Sequence, residues 1–218
     1  MGYYVVVDLE MCMVPKSCKR RYRHSHETIQ IGAALMNEKY EIIDSYSTFV
    51  KPEFGFIDDY IESLTGIHKK DVKDAPSIEK ALNDFMEWLP KDEEVTAVSW
   101  SFSDKYQFLY EINSKKIEVN PRFFDMTDKW IDCQLEFANK MQMKKNYSLE
   151  EALIATDIIT EGRAHDGLVD AYNTALLYAK IKKEDKLVLN PYYGKAHEDA
   201  ETECLSYGLG DILSTVGF

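Results

Sequence analysis

The stretch VVVDLEMC, residues 5–12, holds two acids inside what otherwise reads as a buried strand. Tyr3 to Val7 is a run of aromatic and β-branched residues without charge, the pattern of a strand covered on both faces, so burial should continue where Asp8 and Glu10 arrive. Side chains alternate faces along a strand, so the two acids point the same way, at its carboxyl end. Something elsewhere in the chain has to compensate them.

Working outward, strands are predicted at about 3–10, 28–36 (TIQIGAALM) and 41–50 (EIIDSYSTFV), close enough in sequence for an antiparallel meander. A helix opens at Pro76, with Ile78, Leu82, Phe85, Met86 and Leu89 at helical spacing. VTAVSW, 95–100, reads as another buried strand and 104–115 as a helix. A short strand near 122–126, a helix over about 129–142, a helix starting at the capping box SLEE (Ser148 to Glu151) and a long helix over 168–182 complete the order. No internal repeat is present.

The 218 residues are 45% hydrophobic and contain no low-complexity tract, which suits one substantial core. No apolar run approaches a membrane span and MGYYVVV lacks the features of a signal peptide, so no membrane role and a cytoplasmic location are expected. Cysteines at 12, 18, 133 and 204 have no regular spacing, which favours free thiols in a reducing compartment. A zinc site from Cys12, Cys18, His24 and His26 is disfavoured, because those spacings are not those of a common structural motif. The net charge of −12 argues against a simple nucleic-acid binder. One segment departs from it: PKSCKRRYRHSH, 15–26, carries five positive charges and no acid, leaving the remainder at −17. It reads either as a solvated loop or as a guide for a polynucleotide.

In open α/β sheets ligands bind beyond the carboxyl ends of the strands, and Asp104 falls there, just after VTAVSW. Alone it would be an ordinary acid in the first turn of a helix. The third element is GRAHDGLVDAYNTALLYAKI, 162–181, in which His165 lies in a turn and Asp170 in the first turns of the following helix. Four carboxylates converging on one spot repel each other unless cations are present. Two divalent ions, Mg²⁺ or Mn²⁺, prefer oxygen ligands and are a known device for displacing a phosphodiester, with their charge of +4 balancing Asp8, Glu10, Asp104 and Asp170. His165 is then placed to take a proton from the attacking water.

The order DLE, SWSFSD and HDGLVD resembles the three motifs of the DEDDh 3′-to-5′ exonucleases. HETIQIGAAL, FVKPEFG, YIESLTGIHKKDVKDAPSIEKALNDFMEWL and EGRAHDGLVDAYNTA further resemble the branch of the histone-mRNA and small-RNA trimming exonucleases and the sporulation inhibitor KapD. The resemblance spans about residues 3–182 and implies an exonuclease domain over 1–182. The extension 183–218 lies outside it; Leu209, Ile212, Leu213 and Val216 suit a short helix docked on the domain or on a partner chain, and packing on the domain is expected. The resemblance also implies a ribonuclease-H-like α/β fold, a mixed five-stranded sheet flanked by helices. Asp8, Glu10, Asp104 and Asp170 would be the metal ligands and His165 the general base. Tyrosine-type relatives carry Tyr four residues before the last acid; Asp166 stands there, which fits the histidine subclass. Met11, Leu64, Thr65, Gly66 and Trp100 match positions near the terminal nucleotide, though Leu64 and Trp100 also suit a core. The expected reaction is hydrolysis of single-stranded RNA, or DNA, from its 3′ end to nucleoside 5′-monophosphates. A proofreading-type DNA exonuclease and a non-catalytic RNA-binding adaptor are the alternatives; oligomeric state is left open.

Overall fold

The structure, a computed structural model, describes residues 2–142, 147–160 and 162–190. Most of the extension from 183 onward, including Cys204, therefore lies outside the described residues. Three early strands, β1 (Gly2–Met13), β2 (His26–Met36) and β3 (Ile42–Phe49), form the expected antiparallel meander. The chain then crosses over through helices α1 (Asp59–Thr65), α2 (Lys69–Lys73) and α3 (Ile78–Trp88) to β4 (Glu94–Ser99), which lies parallel to β1. Helices α4 (Ser103–Lys115) and α5 (Arg122–Asp128) lead to the two-residue strand β5 (Ile131–Asp132), parallel to β4. Helices α6 (Cys133–Met141), α7 (Leu149–Ala155) and α8 (Gly167–Lys183) follow. The sheet order is β3-β2-β1-β4-β5, a mixed five-stranded sheet.

Helices cover both faces, as the uncharged start of β1 requires. Val5, Val7 and Leu9 pack with Leu82, Phe85, Phe108 and Phe123 on the side of α3, α4 and α5. Val6 packs with Cys133, Phe137, Leu153, Leu177 and Tyr178 on the side of α6, α7 and α8. Each fully buried Leu, Val or Phe contributes about 1.5–3 kcal/mol over its exposed state. The sheet is thus anchored around β1, the strand that carries the acids.

Two expectations are corrected. Residues 122–126 form helix α5, not a strand. The Phe123-Phe124 doublet suggested β structure, yet Phe123, Met126 and Thr127 are buried while Phe124 is 46% exposed, a period of three to four. The short strand comes later, at Ile131–Asp132, so the next helix begins at Cys133 rather than 129; the Asp132 carboxylate caps it by accepting from Leu135 N–H at 2.8 Å. Residues 58–73, for which the hydrophobic pattern suggested no element, form α1 and α2, whose Ile61, Ile67 and Val72 pack on Cys12, Ile29 and Ile57. Among the described residues no helix is long and apolar enough to cross a membrane, and Cys12, Cys18 and Cys133 are free thiols.

Candidate active site

β1 is longer than its parallel neighbour. It pairs with β2 from Tyr4 to Met13, but with β4 only from Gly2 to Val6. Beyond Val6 one edge of the strand is open, and this opening holds Asp8 and Glu10. The carboxylate of Asp104, in the first turn of α4, reaches into it and accepts the Leu9 N–H at 3.1 Å, between the two acids in sequence. Glu10 and Asp104 are 7% and 4% exposed, while Asp8 and Asp170 are half-buried.

The fourth acid arrives through a contact between two glycines. A Cβ on Gly32 of β2, the residue paired with Asp8, would collide with the backbone of Gly167 and Leu168 at the start of α8. A Cβ on Gly167 would in turn meet the Asp8 carbonyl oxygen at 3.2 Å. Only two bare backbones allow α8 to touch the sheet there, and this approach brings Asp170 to the acids of β1. Gln30 fastens the joint: its Oε1 accepts the Gly167 N–H at 3.0 Å, and its Nε2 donates to Asp166 Oδ1 at 3.4 Å. Asp166 caps α8 by accepting from Leu168 N–H at 3.0 Å and Val169 N–H at 3.4 Å. The extra acid beside His165 is thus a helix cap.

His165 stands just before that cap in the left-handed region, φ 61°, with its N–H donating to Asp170 Oδ2 at 2.9 Å. Glu10, His165 and Asp170 each present one ligand atom within 4.8 Å of the others, a set able to hold a metal ion. Among the described residues no such group includes Cys12, Cys18, His24 and His26. The His165 loop is also tied down from the other side. Arg163 donates to the carbonyl of Ser63 and, at 3.3 Å, to that of Leu64, at the C-terminal end of α1. Its guanidinium occupies the space that a side chain on Gly66 would need.

The electrostatics are those of acids crowded without compensation. Burial, followed by the charges of Asp104, Glu10, Asp170 and Asp166, holds Asp8 well above the usual carboxylate range. Burial pushes Glu10 up to about 8, with Asp170, Asp166 and Asp104 adding to it. Asp104 rises to about 7 through burial, against the lowering effect of hydrogen bonds from Leu9, its own backbone and Ser103. Asp170 is raised by burial and partly held down by the His165 N–H. Oxygen donors that are costly to ionise alone suit hard divalent cations, which offset burial and mutual repulsion at once.

The expected substrate-contacting residues separate. Met11 lines a cavity beside Ser103, next to the acids. Thr65 is buried, with its hydroxyl donating to Ile61 O and accepting from Ile67 N–H, so it closes the end of α1. Gly66 caps the same helix at φ 75°. Leu64 is half-buried beside them. Trp100 packs against Phe137, centroids 6.2 Å apart, on the side of α6. Unforeseen in the sequence were Gln30, Arg163 and a buried ionic network, although an acid in an otherwise uncharged strand, the signal that drew attention to Asp8, also marks Glu27. Glu27 and Glu111 are fully buried and share Lys115 Nζ at 2.6 and 2.7 Å. Glu27 also accepts the backbone N–H groups of Glu53, Phe54 and Gly55, while Glu111 accepts that of Thr28 at 2.7 Å.

The exonuclease family RNase_T matches residues 5–178. The chain is 29% identical over 203 residues to ERI1 exoribonuclease 2 of Xenopus laevis, covering 82% of this chain and 28% of that protein. It therefore spans only about three tenths of that relative's length. It is 32% identical over 189 residues to DNA polymerase III subunit epsilon of Aquifex aeolicus, covering 84% of this chain and 82% of the relative. Among solved structures, the nuclease domain of 3'hExo, a DEDDh family member bound to rAMP, superposes with a TM-score of 0.70 at 23% identity, over 86% of this chain and 96% of that one. Fold and sequence agree: the chain belongs to the RNase_T exonuclease family, with the ribonuclease-H-like fold.

Proposed function

We propose that this chain hydrolyses single-stranded RNA from its 3′ end, releasing nucleoside 5′-monophosphates with the help of two Mg²⁺ or Mn²⁺ ions. The observation that carries the reading is the convergence of Asp8, Glu10, Asp104 and Asp170 at the open edge of β1, with the His165 turn beside them. Asp8, Glu10, Asp104 and Asp170 are the residues that would hold the ions, which when bound lower the barrier to attack on the phosphodiester and stabilise the leaving oxygen. The chain supplies the rest. The His165 imidazole takes the proton of the attacking water, and its position is set by its own N–H on Asp170, by the Asp166 cap and by the Arg163 anchor. Met11 offers an apolar surface to the terminal base, which accepts any base by stacking.

Hydrolysis of DNA is the second reading, favoured by the similarity to DNA polymerase III subunit epsilon. Both are tested with 5′-labelled single-stranded RNA and DNA of one sequence, with Mg²⁺ or Mn²⁺, in wild-type and Asp8→Ala chains. A ladder that shortens from the 3′ end, and is lost in the variant and in chelator, is the expected result; the RNA-to-DNA rate ratio decides between the polymers. Intact substrates with bound RNA would instead make the chain a non-catalytic adaptor.

A further inference from the structure

The basic segment and the open cavity next to Met11 belong to one surface. The cavity, about 320 Å³, lies between the end of β1 and the exposed side of α4, and its size falls within the roughly 300–1,000 Å³ of small-ligand sites. Its walls are Met11, one residue after Glu10, and Ser103, one residue before Asp104, together with His24, His26, Tyr106 and Tyr110. It therefore adjoins the acids through β1 and α4, two of the three elements that carry them.

The rings are held in place. Asp104, Gln107, Phe108 and Glu111 take the buried side of α4, which leaves Tyr106 and Tyr110, four residues apart, 53% and 52% exposed on its flank. The His24 ring stacks on Tyr110 with centroids 4.4 Å apart and planes 9° apart, while its Nε2 pairs with Gln107 Oε1 at 2.8 Å. Gln107 in turn donates to Glu111 at 2.8 Å and to the His26 carbonyl at 3.2 Å. The buried ionic network thus fixes the imidazole that faces the cavity. Aromatic surfaces this exposed contribute nothing to the core; a fixed, flat, mostly apolar wall is what a nucleobase stacks on.

The charge distribution names the occupant. The loop that delivers His24 contains Lys16, Lys19, Arg20, Arg21 and Arg23, the acid-free run of an otherwise acidic chain. Arg20 and Arg23 are exposed and make no ion pair among the described residues, whereas Arg21 lies 5.3 Å from the Phe54 ring. A surface that pairs stacking rings with unneutralised guanidinium groups suits a single strand, whose bases and phosphates alternate. We infer that the cavity walled by His24, Tyr106 and Tyr110 is a second nucleotide subsite, which stacks a base 5′ of the terminal nucleotide while Arg20 and Arg23 hold its phosphates and Met11 divides it from the terminal base. This rests on the reading of the acids as a 3′-end hydrolytic site.

The test compares two substrates in the full chain: a short oligoribonucleotide, and the p-nitrophenyl ester of a nucleoside 5′-monophosphate, which reaches the acids but not the cavity. Tyr110→Ala should raise KM for the oligoribonucleotide by roughly 5- to 150-fold, the range that corresponds to losing one base stack, and leave turnover of the ester unchanged. Tyr110→Phe, which keeps the ring, should behave as wild type. With an abasic site at the stacked position, wild type and Tyr110→Ala should converge. If wild type cleaves both substrates but Tyr106→Ala and Tyr110→Ala keep the wild-type KM for RNA, the subsite is refuted while the hydrolytic reading stands. Equal losses on RNA and ester would also refute it, since the rings would then support the catalytic centre itself. A wild-type chain inert on both would overturn the hydrolytic reading, and the subsite with it.

Discussion

Replacing Glu10 with Gln removes a carboxylate that the folded chain prefers to keep protonated, and the stability of the metal-free protein should reveal it. Glu10 moves from an ordinary 4.5 to about 8 on folding. Below about pH 4.5 folded and unfolded chains both hold the proton. Between there and about pH 8 only the folded chain does, so stability falls as pH rises through that window. At 1.36 kcal/mol per pH unit the full loss is about 5 kcal/mol, large against a typical domain stability of about 5–15 kcal/mol. Asp104, raised to about 7, acts in the same direction at lower pH, and because the sites share charges the losses do not add. Urea unfolding in chelator at pH 5 and pH 8 is the assay. The wild type should lose several kcal/mol, and E10Q should show a shallower fall. Mn²⁺ or Mg²⁺ at pH 8 should restore the wild type, because ions that bind only the folded chain stabilise it. A wild-type stability that is flat from pH 5 to pH 8 in chelator, or an E10Q profile parallel to it, would refute the account of the acids as uncompensated charges.

Three further substitutions test the scaffold. Gly32→Ala forces a methyl group into the Gly167 backbone; a loss of about 3 kcal/mol or more in urea unfolding, with activity falling as α8 and Asp170 are displaced, is expected. Lys115→Met leaves Glu27 and Glu111 buried without their shared cation and should cost about 3–5 kcal/mol at neutral pH; a thermal midpoint equal to wild type would argue that the network is solvated. Arg163→Ala frees the His165 turn from α1, so kcat on RNA should drop roughly 10- to 100-fold with the unfolding midpoint unchanged, and an unaltered kcat would show that the turn needs no anchor.

What could be read in advance followed from local chemistry. Asp8 and Glu10 stood out because they interrupt an uncharged strand, and Asp104 and Asp170 drew attention through their company; the meander β1 to β3 and strand β4 were legible in strand-like runs, whereas the five-stranded sheet was implied by the family resemblance. Helix α5 was misread because Phe123 and Phe124 are adjacent, and two neighbouring aromatics carry no period; the burial of Met126 and Thr127 reveals it only in the fold. That Asp166 caps α8 was not legible, because its neighbours in sequence do not show which backbone N–H groups its carboxylate will accept. Gly32 and Gly167 lie 135 positions apart in the chain, so nothing local could show that their hydrogens alone permit the approach of α8. Glu27 was legible by the same criterion as Asp8, but its partner Lys115 lies 88 positions further along the chain, at the end of α4, so nothing local could pair them.

The contact between Asp104 and the Leu9 amide bears on how an inactive form of this chain should be made. An open strand edge with a bare N–H can recruit a foreign strand, and in this fold the Asp104 carboxylate, one of the proposed ion-holding groups, covers that edge. Alanine at 104 would remove a proposed ion-holding carboxylate and uncover the edge together, so poor recovery or self-association of D104A would say nothing about hydrolysis. Asparagine keeps an oxygen for the Leu9 amide while removing the charge. D104N is therefore the form in which to capture an uncleaved RNA end for structure determination, and its solubility relative to D104A measures how much of this carboxylate's value lies in guarding the sheet.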